Sequence, residues 1–301
     1  MRTGMSEPGH DRDRAALDTA QVRRAFERAS VDYDRAAVLQ KTVREELLER
    51  LDLARIAPER VLDAGAGTGR GSAALARRFP RARIVALDLA VGMLRKARRN
   101  RPWRAKIALV CGDLTRLPLA SASIDLAFCS LALQWCDPPA RALGELRRVL
   151  APRSLLTFAS FGPDTLKELR AAWAEVDDLP HVNRFMDMHD LGDSLVQAGF
   201  ADPVLDVDYA TLTYGDVFAL MRDLKAIGAH NAAQGRARGL TGKRKLAAFA
   251  AAYERRRDSG RLPATYEIVY GSAWTPEAPA GVRADAGEAR IPPGMIGRRR
   301  R

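Results

Sequence analysis

The chain has 301 residues, 47% hydrophobic and 29% charged, a globular balance with room for one large α/β domain or two small ones and unlike that of a disordered chain. Its net charge of +12 suits an acidic partner such as nucleic acid or an acidic carrier protein, and equally suits a merely arginine-rich surface. No apolar run approaches the ~20 residues a membrane span needs. The N-terminus has no apolar signal core, and Cys111, Cys129 and Cys136 form no CxxC pair or Cys/His cluster. A reduced, cytoplasmic protein with no membrane and no metal is expected.

In chain order, residues 1–17 are polar and expected to be disordered. A folded domain over 18–274 follows, opening with helices over 19–54 in which Leu39, Val43, Leu47 and Leu51 repeat every four residues. Pro58 closes them. Over about 55–162, "RVLDAG", "RIVALD", "KIALVCGD", "IDLAFCSLAL" and "SLLTFASF" read as buried strands, and "GSAALARRF", "VGMLRKARRN" and "PPARALGELRRVL" as helices. Such alternation with short connections predicts a parallel sheet covered on both faces. Past Phe161 the rhythm changes: "DTLKELRAAWAEV", "MHDLGDSLVQAGF", "VFALMRDLKAIGAH" and "KRKLAAFAAAYERRR" are helical, while "PVLDVDYATLTY" and "ATYEIVYGSAW" are strands. The two strands are expected to form an antiparallel edge, and the helices between them a lid within an acceptor region over 163–262. Pro, Gly and Arg dominate 275–301, a flexible basic tail.

The segment "VLDAGAGTG" follows a strand and opens a helix, so backbone N–H groups and the helix dipole face a ligand there. A dinucleotide fingerprint needs a third glycine where Arg70 stands. The pattern that does fit is Asp63, Gly65, Gly67 and Gly69. An acid at the strand end repels a pyrophosphate but accepts hydrogen bonds from an ammonium group, which favours S-adenosylmethionine over NAD. Asp88 ends the second strand, where a carboxylate binds ribose hydroxyls, and Asp113 ends the third, placed for the adenine amino group. Each alone reads as readily as a helix N-cap; the ordered set is the stronger signal. Leu114 offers a backbone N–H, Met93 an apolar face for adenine, and Ser130 closes the fourth strand. Together these residues resemble the class I S-adenosylmethionine-dependent methyltransferases. The resemblance implies a Rossmann-like α/β fold: a mostly parallel seven-stranded sheet with helices on both faces and a helical lid insertion.

A second resemblance covers about Gln21 to Trp274. "AFERASVDYDRAAVLQ", "SLALQWC", "AWAEVDDLPHVNRF", "LKAIGAHN", "LTGK" and "GRLPATYEIVYG" resemble the malonyl-[acyl-carrier protein] O-methyltransferases, which methylate the free malonyl carboxylate to start pimeloyl synthesis for biotin. That family implies S-adenosylmethionine as cofactor and acidic malonyl-acyl carrier protein as partner. A carboxylic acid beside a thioester has a pKa at or below the ordinary value of ~4. It is already a nucleophile, so positioning without a general base is expected. Tyr33 matches the family's N-terminal tyrosine and is expected to cap the reacting methyl. Arg184 is the first candidate to pair the malonyl carboxylate, with His181, Asn183, Lys225, His230, Gln134 and Trp135 as further acceptor contacts. "FGPDTLKELR", "DLGDSLVQAGF" and "PATYEIVY" also resemble a complex I assembly factor that hydroxylates an arginine, which is the alternative reading. A nucleic-acid partner is not expected, because "SLALQWCDPP" stands where an amine-activating DPPY or NPPY run belongs.

Overall fold

The short Val-, Ile-, Leu- and Ala-rich runs form the centre of the sheet. The computed structural model describes residues 16–229, 231–236, 239 and 241–277. Helices α1 (Thr19–Ala29), α2 (Tyr33–Ala36) and α3 (Val38–Arg50) lead into β1 (Arg60–Ala64), α4 (Arg70–Arg78), β2 (Arg83–Asp88), α5 (Val91–Asn100), β3 (Ile107–Cys111), β4 (Ile124–Ser130), α6 (Pro139–Val149) and β5 (Leu150–Phe161). Then come α7 (Lys167–Ala174), α8 (Met188–Gln197), β6 (Ala201–Tyr214), α9 (Val217–Ala226), α10 (Lys243–Glu254) and β7 (Leu262–Trp274). The strand order is β3-β2-β1-β4-β5-β7-β6. The first five strands run parallel, and β7 enters antiparallel between β5 and β6. The expected antiparallel edge therefore forms with the later strand inside the earlier one.

Alternation along the strands divides the core. Val61, Ile84 and Leu126 join Leu47, Phe128 and Phe249 on one face, while Leu62, Leu87 and Ala127 join Leu143, Phe158 and Leu195 on the other. Period-2 side-chain placement requires this split once both faces are covered. Local chemistry sets the helix starts: Asp18, Asp187 and Asp216 each accept a backbone N–H three residues on, at 3.0, 2.9 and 2.8 Å. Such caps contribute about 1 kcal/mol each. The order reverses between β1 and β4, and an open α/β sheet binds ligands at the carboxyl ends of strands beside such a reversal.

At the chain ends the structure departs from expectation. Leu17, expected to be disordered, bridges Ala233, and Gln234 N–H donates to the Ala16 carbonyl at 2.8 Å. Two backbone groups there find partners only in a segment more than two hundred positions away, which no local pattern reveals. Thr275, placed in the tail by its neighbours, is buried and its hydroxyl accepts the Ser154 N–H at 2.8 Å. Residues 1–15 and 278–301, where the rest of the expected disorder falls, lie outside the described residues.

Candidate active site

A cleft of about 360 Å³ opens at the carboxyl ends of β1, β2, β3 and β4. Its floor is the glycine loop, in which Gly65, Gly67 and Gly69 have φ of +78°, +53° and +77°, a region closed to most L-residues. The N–H groups of Gly65 and Ala66 donate to the Leu87 carbonyl at 2.8 and 2.9 Å, lashing the loop to the end of β2. Gly65 and Gly67 line the cleft. Gly69 serves packing instead: a Cβ there would stand 2.7 Å from the Ala97 Cβ and 2.9 Å from its Cα, so α5 rests directly on the loop.

The three carboxylates separate by role. Asp88 lines the cleft, accepting the Gly67 N–H at 2.8 Å through one oxygen and the Ala90 N–H at 2.8 Å through the other. Burial pushes its pKa up to about 6 against the pull of those N–H groups. Asp113 also lines the cleft, and one of its oxygens accepts both the N–H and the hydroxyl of Thr115 at 2.8 Å. Asp63, expected to reach the cofactor, is not on the cleft wall. It lies buried behind the loop, accepting the Ser72 hydroxyl at 2.5 Å. Asp63 thus ties β1 to α4 without capping the helix, whose N-cap is Gly69, while Asp88 and Asp113 combine a local bond with a place on the wall.

Met93, Leu114 and Ser130 line the same cleft. Tyr33 does too, packed with Phe26 against Ala29, Ala90 and Met93. Burial, and then the Asp88 charge, raise the Tyr33 pKa above its ordinary value. Its phenol therefore stays protonated, a hydrogen-bond donor and not a base. Trp135 meets Phe26 edge-to-face at 5.2 Å and lines both this cleft and an apolar inner cavity of about 50 Å³. His181 and Asn183 line that inner cavity. His181 stacks on Trp173 at 3.8 Å and bonds Asp177 at 2.7 Å; the Asn183 side-chain oxygen accepts the Ala232 N–H at 3.0 Å.

Three expected acceptor contacts are placed elsewhere. Arg184 lines a small cavity with Gln134 and an outer cleft with Arg170, and is not among the residues that line the cofactor cleft, although the small cavity shares Cys136 and Asp137 with it. Gln134 donates its amide N–H to the Leu131 carbonyl at 2.9 Å, and its carbonyl oxygen is buried without a donor among the described residues. Lys225 is exposed on the last turn of α9, off the cleft wall. His230 lies outside the described residues.

Several contributors escaped the sequence reading. Thr19, Val22 and Phe26 of α1 form the outer wall of the cofactor cleft. Glu27 reaches from α1 to accept the Gly92 N–H at 2.9 Å, capping α5. Asp34 accepts from Thr68 of the glycine loop at 2.5 Å and from Arg70 at 2.8 Å, tying α2 to the loop. "VDYDRA" holds Asp34, but its partners become neighbours only when α2 folds over the sheet.

A mostly parallel sheet of this order, with a glycine floor and acids at successive strand ends, defines a Rossmann-like methyltransferase, and a methyltransferase-domain family model matches residues 62–158. The YcgJ protein of Bacillus subtilis has this fold, with a TM-score of 0.56 at 14% identity over 78% of this chain and 100% of its own. A Bacillus halodurans protein crystallised as a candidate methyltransferase also has it, with a TM-score of 0.57 at 19% identity over 77% and 99%. The malonyl-[acyl-carrier protein] O-methyltransferase of Methylovorus sp. strain MP688 is 54% identical over 88% of this chain and 92% of its own. That of Halorhodospira halophila is 49% identical over 96% and 99%. The chain belongs to the malonyl-[acyl-carrier protein] O-methyltransferase family, and these identities side with it over the arginine-hydroxylase resemblance.

If Asp88 holds the cofactor, Asp88→Ala removes an acceptor from the wall and leaves the Gly67 and Ala90 N–H groups without theirs. Cofactor affinity is expected to fall by about 1–3 kcal/mol, the scale of lost charged hydrogen bonds. Titration calorimetry checks this; wild-type affinity removes Asp88 from the binding set.

Proposed function

We propose that this protein transfers a methyl group from S-adenosylmethionine to the free carboxylate of malonyl-acyl carrier protein. The observation that carries the reading is the cleft itself: a left-handed glycine floor with Asp88 and Asp113 on its wall, and Trp135 lining both it and an apolar cavity. The donor set suits a cofactor with hydroxyls, an amino group and no phosphate, because carboxylates accept such donors and repel phosphate. Asp88 would take the ribose hydroxyls, Asp113 and Leu114 the adenine edge, and Met93 its face. Bound there, the cofactor supplies an electrophilic methyl on a sulfonium.

The acceptor carboxylate is ionised at neutral pH. Its oxygen attacks the methyl carbon, the C–O bond forms as the C–S bond breaks, and the electron pair stays on sulfur. No proton moves, which is consistent with a Tyr33 phenol held protonated. The contribution of the protein is orientation and the removal of water. Tyr33, Phe26 and Trp135 close the apolar side of the cleft, and α7, α9 and α10 act as the cover of the acceptor side. The unpaired thiols Cys111, Cys129 and Cys136 suit a reducing, cytoplasmic setting.

The test is mass spectrometry of malonyl-acyl carrier protein incubated with the enzyme and S-adenosylmethionine. A gain of one methyl group, removed by a carboxyl esterase, is the expected result. No gain, with cofactor binding verified in the same sample, would overturn the reading and make arginine hydroxylation the next reaction to assay.

A further inference from the structure

One residue on the wall of the cofactor cleft is held in a costly conformation. Among the described residues, Ala122, Leu131, Arg153, Leu166, Asp202 and Ser259 are the non-glycines with positive φ, and of these Leu131, at +53°, lines the cleft. That region is unfavourable for a residue with a Cβ and persists where the surroundings over-determine it. Two bonds hold Leu131 there. Its N–H donates to the Ala159 carbonyl of β5 at 2.8 Å. Its carbonyl accepts the side-chain amide N–H of Gln134, three residues on, at 2.9 Å.

Stability alone does not explain Gln134. The residue is buried, and its carbonyl oxygen meets no donor among the described residues. A buried acceptor without a donor is destabilising, and an apolar side chain of similar length would not carry one. A residue kept at such a cost beside a strained backbone points to the feature that the strain maintains.

That feature is the turn forming one side of the cleft. After Leu131 the chain makes a 3-10 turn over Leu133–Trp135. The Trp135 N–H closes it on the Ala132 carbonyl and the Cys136 N–H on the Leu133 carbonyl, both at 3.0 Å. Leu131, Ala132, Trp135, Cys136 and Asp137 line the cleft, and Gln134 is not among the lining residues. Ala132 stands against Gly65 of the glycine floor, and Trp135 also lines the apolar cavity on the acceptor side. A shift of the Leu131 backbone therefore moves the side of the cleft that borders the acceptor region.

We infer that Gln134 is a positioning residue for methyl transfer: its amide holds the Leu131 carbonyl, keeps Leu131 left-handed and so sets Ala132 and Trp135 where acceptor and cofactor meet. This rests on the reading of the cleft as the methyl-transfer site. Gln134 thus acts through the backbone of its own turn and not by touching the acceptor, the role its motif suggests.

Removing the tether exchanges one unpaired group for another. In Gln134→Met the orphaned side-chain oxygen goes and the Leu131 carbonyl loses its donor. Rotation of Leu131 out of the left-handed region then relieves the strain that the bond had held. Fold stability is expected to stay near that of the wild type while the wall shifts.

The test compares Gln134→Met with the wild type by urea melt, by calorimetry with S-adenosylhomocysteine and by methyl transfer to malonyl-carrier. The urea midpoint should be unchanged and the affinity should stay within about threefold. The expected fall in kcat is about tenfold or more, the scale on which small misplacements of reacting groups act. With KM unchanged, that fall marks an arrangement needed in the transition state. In the Leu131→Gly background a left-handed backbone needs no tether, so adding Gln134→Met should cost about twofold or less. An unchanged kcat, a kcat loss matched by lost stability, or additive losses in the double variant each overturn the role.

Hydrogen exchange in the S-adenosylhomocysteine complex needs no methyl transfer. Gln134→Met should speed exchange at the Trp135 and Cys136 amides about tenfold or more. The Gly65 and Ala66 amides, bonded to the Leu87 carbonyl, should exchange as in the wild type. Wild-type exchange at Trp135 and Cys136 overturns the tether. A wild type that transfers no methyl group, with the exchange pattern as expected, would defeat the reaction and leave the tether standing.

Discussion

Gly65→Ala is expected to reduce methyl transfer by about thirtyfold or more. The residue has φ of +78°, and a Cβ built on it lies 2.3 Å from the Ala132 Cβ, far inside the ~3.5–4 Å at which carbon atoms rest. Neither side can yield freely. The Gly65 N–H is bonded to the Leu87 carbonyl at 2.8 Å, and the residue before Ala132, Leu131, donates its N–H to the Ala159 carbonyl at 2.8 Å. Left-handed strain costs about 1–2 kcal/mol and overpacking a further 1–3 kcal/mol. At about 1.4 kcal/mol per tenfold, the sum spans roughly thirtyfold to several-thousandfold. Part of it appears as lost fold stability and part as a displaced cleft wall, since Gly65 and Ala132 both line the cleft. Cofactor calorimetry beside a urea melt separates the two shares. A variant that binds cofactor as the wild type does would move the cofactor off this wall.

Asp63→Asn should stabilise the cofactor-free protein, and more so as the pH rises. Burial pushes the Asp63 pKa from 3.8 up to about 6, against the pull of the Ser72 hydroxyl, and the Asp88 charge adds to the rise. A carboxyl whose folded pKa exceeds its unfolded pKa binds its proton more tightly when folded. Its stabilising contribution is therefore complete below about pH 4 and is lost as the pH climbs through about 6. A shift of that size corresponds to about 3 kcal/mol. Asparagine is neutral throughout and still presents an oxygen to Ser72. The difference between variant and wild type should be near zero at pH 4 and approach about 3 kcal/mol at pH 7, read from urea melts at each pH. A difference that stays flat would mean that the site does not penalise the charge. Because that charge lies behind the glycine loop, a cationic cofactor offsets its cost, and the variant is expected to bind cofactor less tightly at neutral pH.

Much of this molecule is legible from short-range pattern. The five parallel strands and the helices between them follow from apolar runs of strand length separated by turn residues, and α5 begins and ends where its periodicity does. The glycine loop was equally readable, because three alternate glycines after a buried strand mark a turn whose left-handed backbone glycine reaches without strain. The family was readable from long matched segments beyond that loop. Membership in a family also carries the family's reaction with it, which no single motif here could do.

Tertiary structure decided what depends on through-space neighbours. "LDAG" and "ALDL" look alike as strand ends, yet Asp63 bonds Ser72 of α4 while Asp88 lines the cleft, because Asp63 pairs with Ala86 and so stops two positions short of Asp88 along the sheet. The order of β6 and β7 was not legible, since nothing local says which of two edge strands pairs with β5. Nor were the contributions of Glu27, Asp34 and the Leu17 bridge, whose partners lie far along the chain. Arg184 shows the limit most plainly. Its charge and its motif offer it as a candidate for an anion, but only the fold places it in an outer cleft with Arg170 and off the cleft at the strand ends. Composition and local sequence thus determined the chemistry each residue can perform. The packing of distant segments, driven by burying both faces of one sheet, decided which of those residues share a cleft.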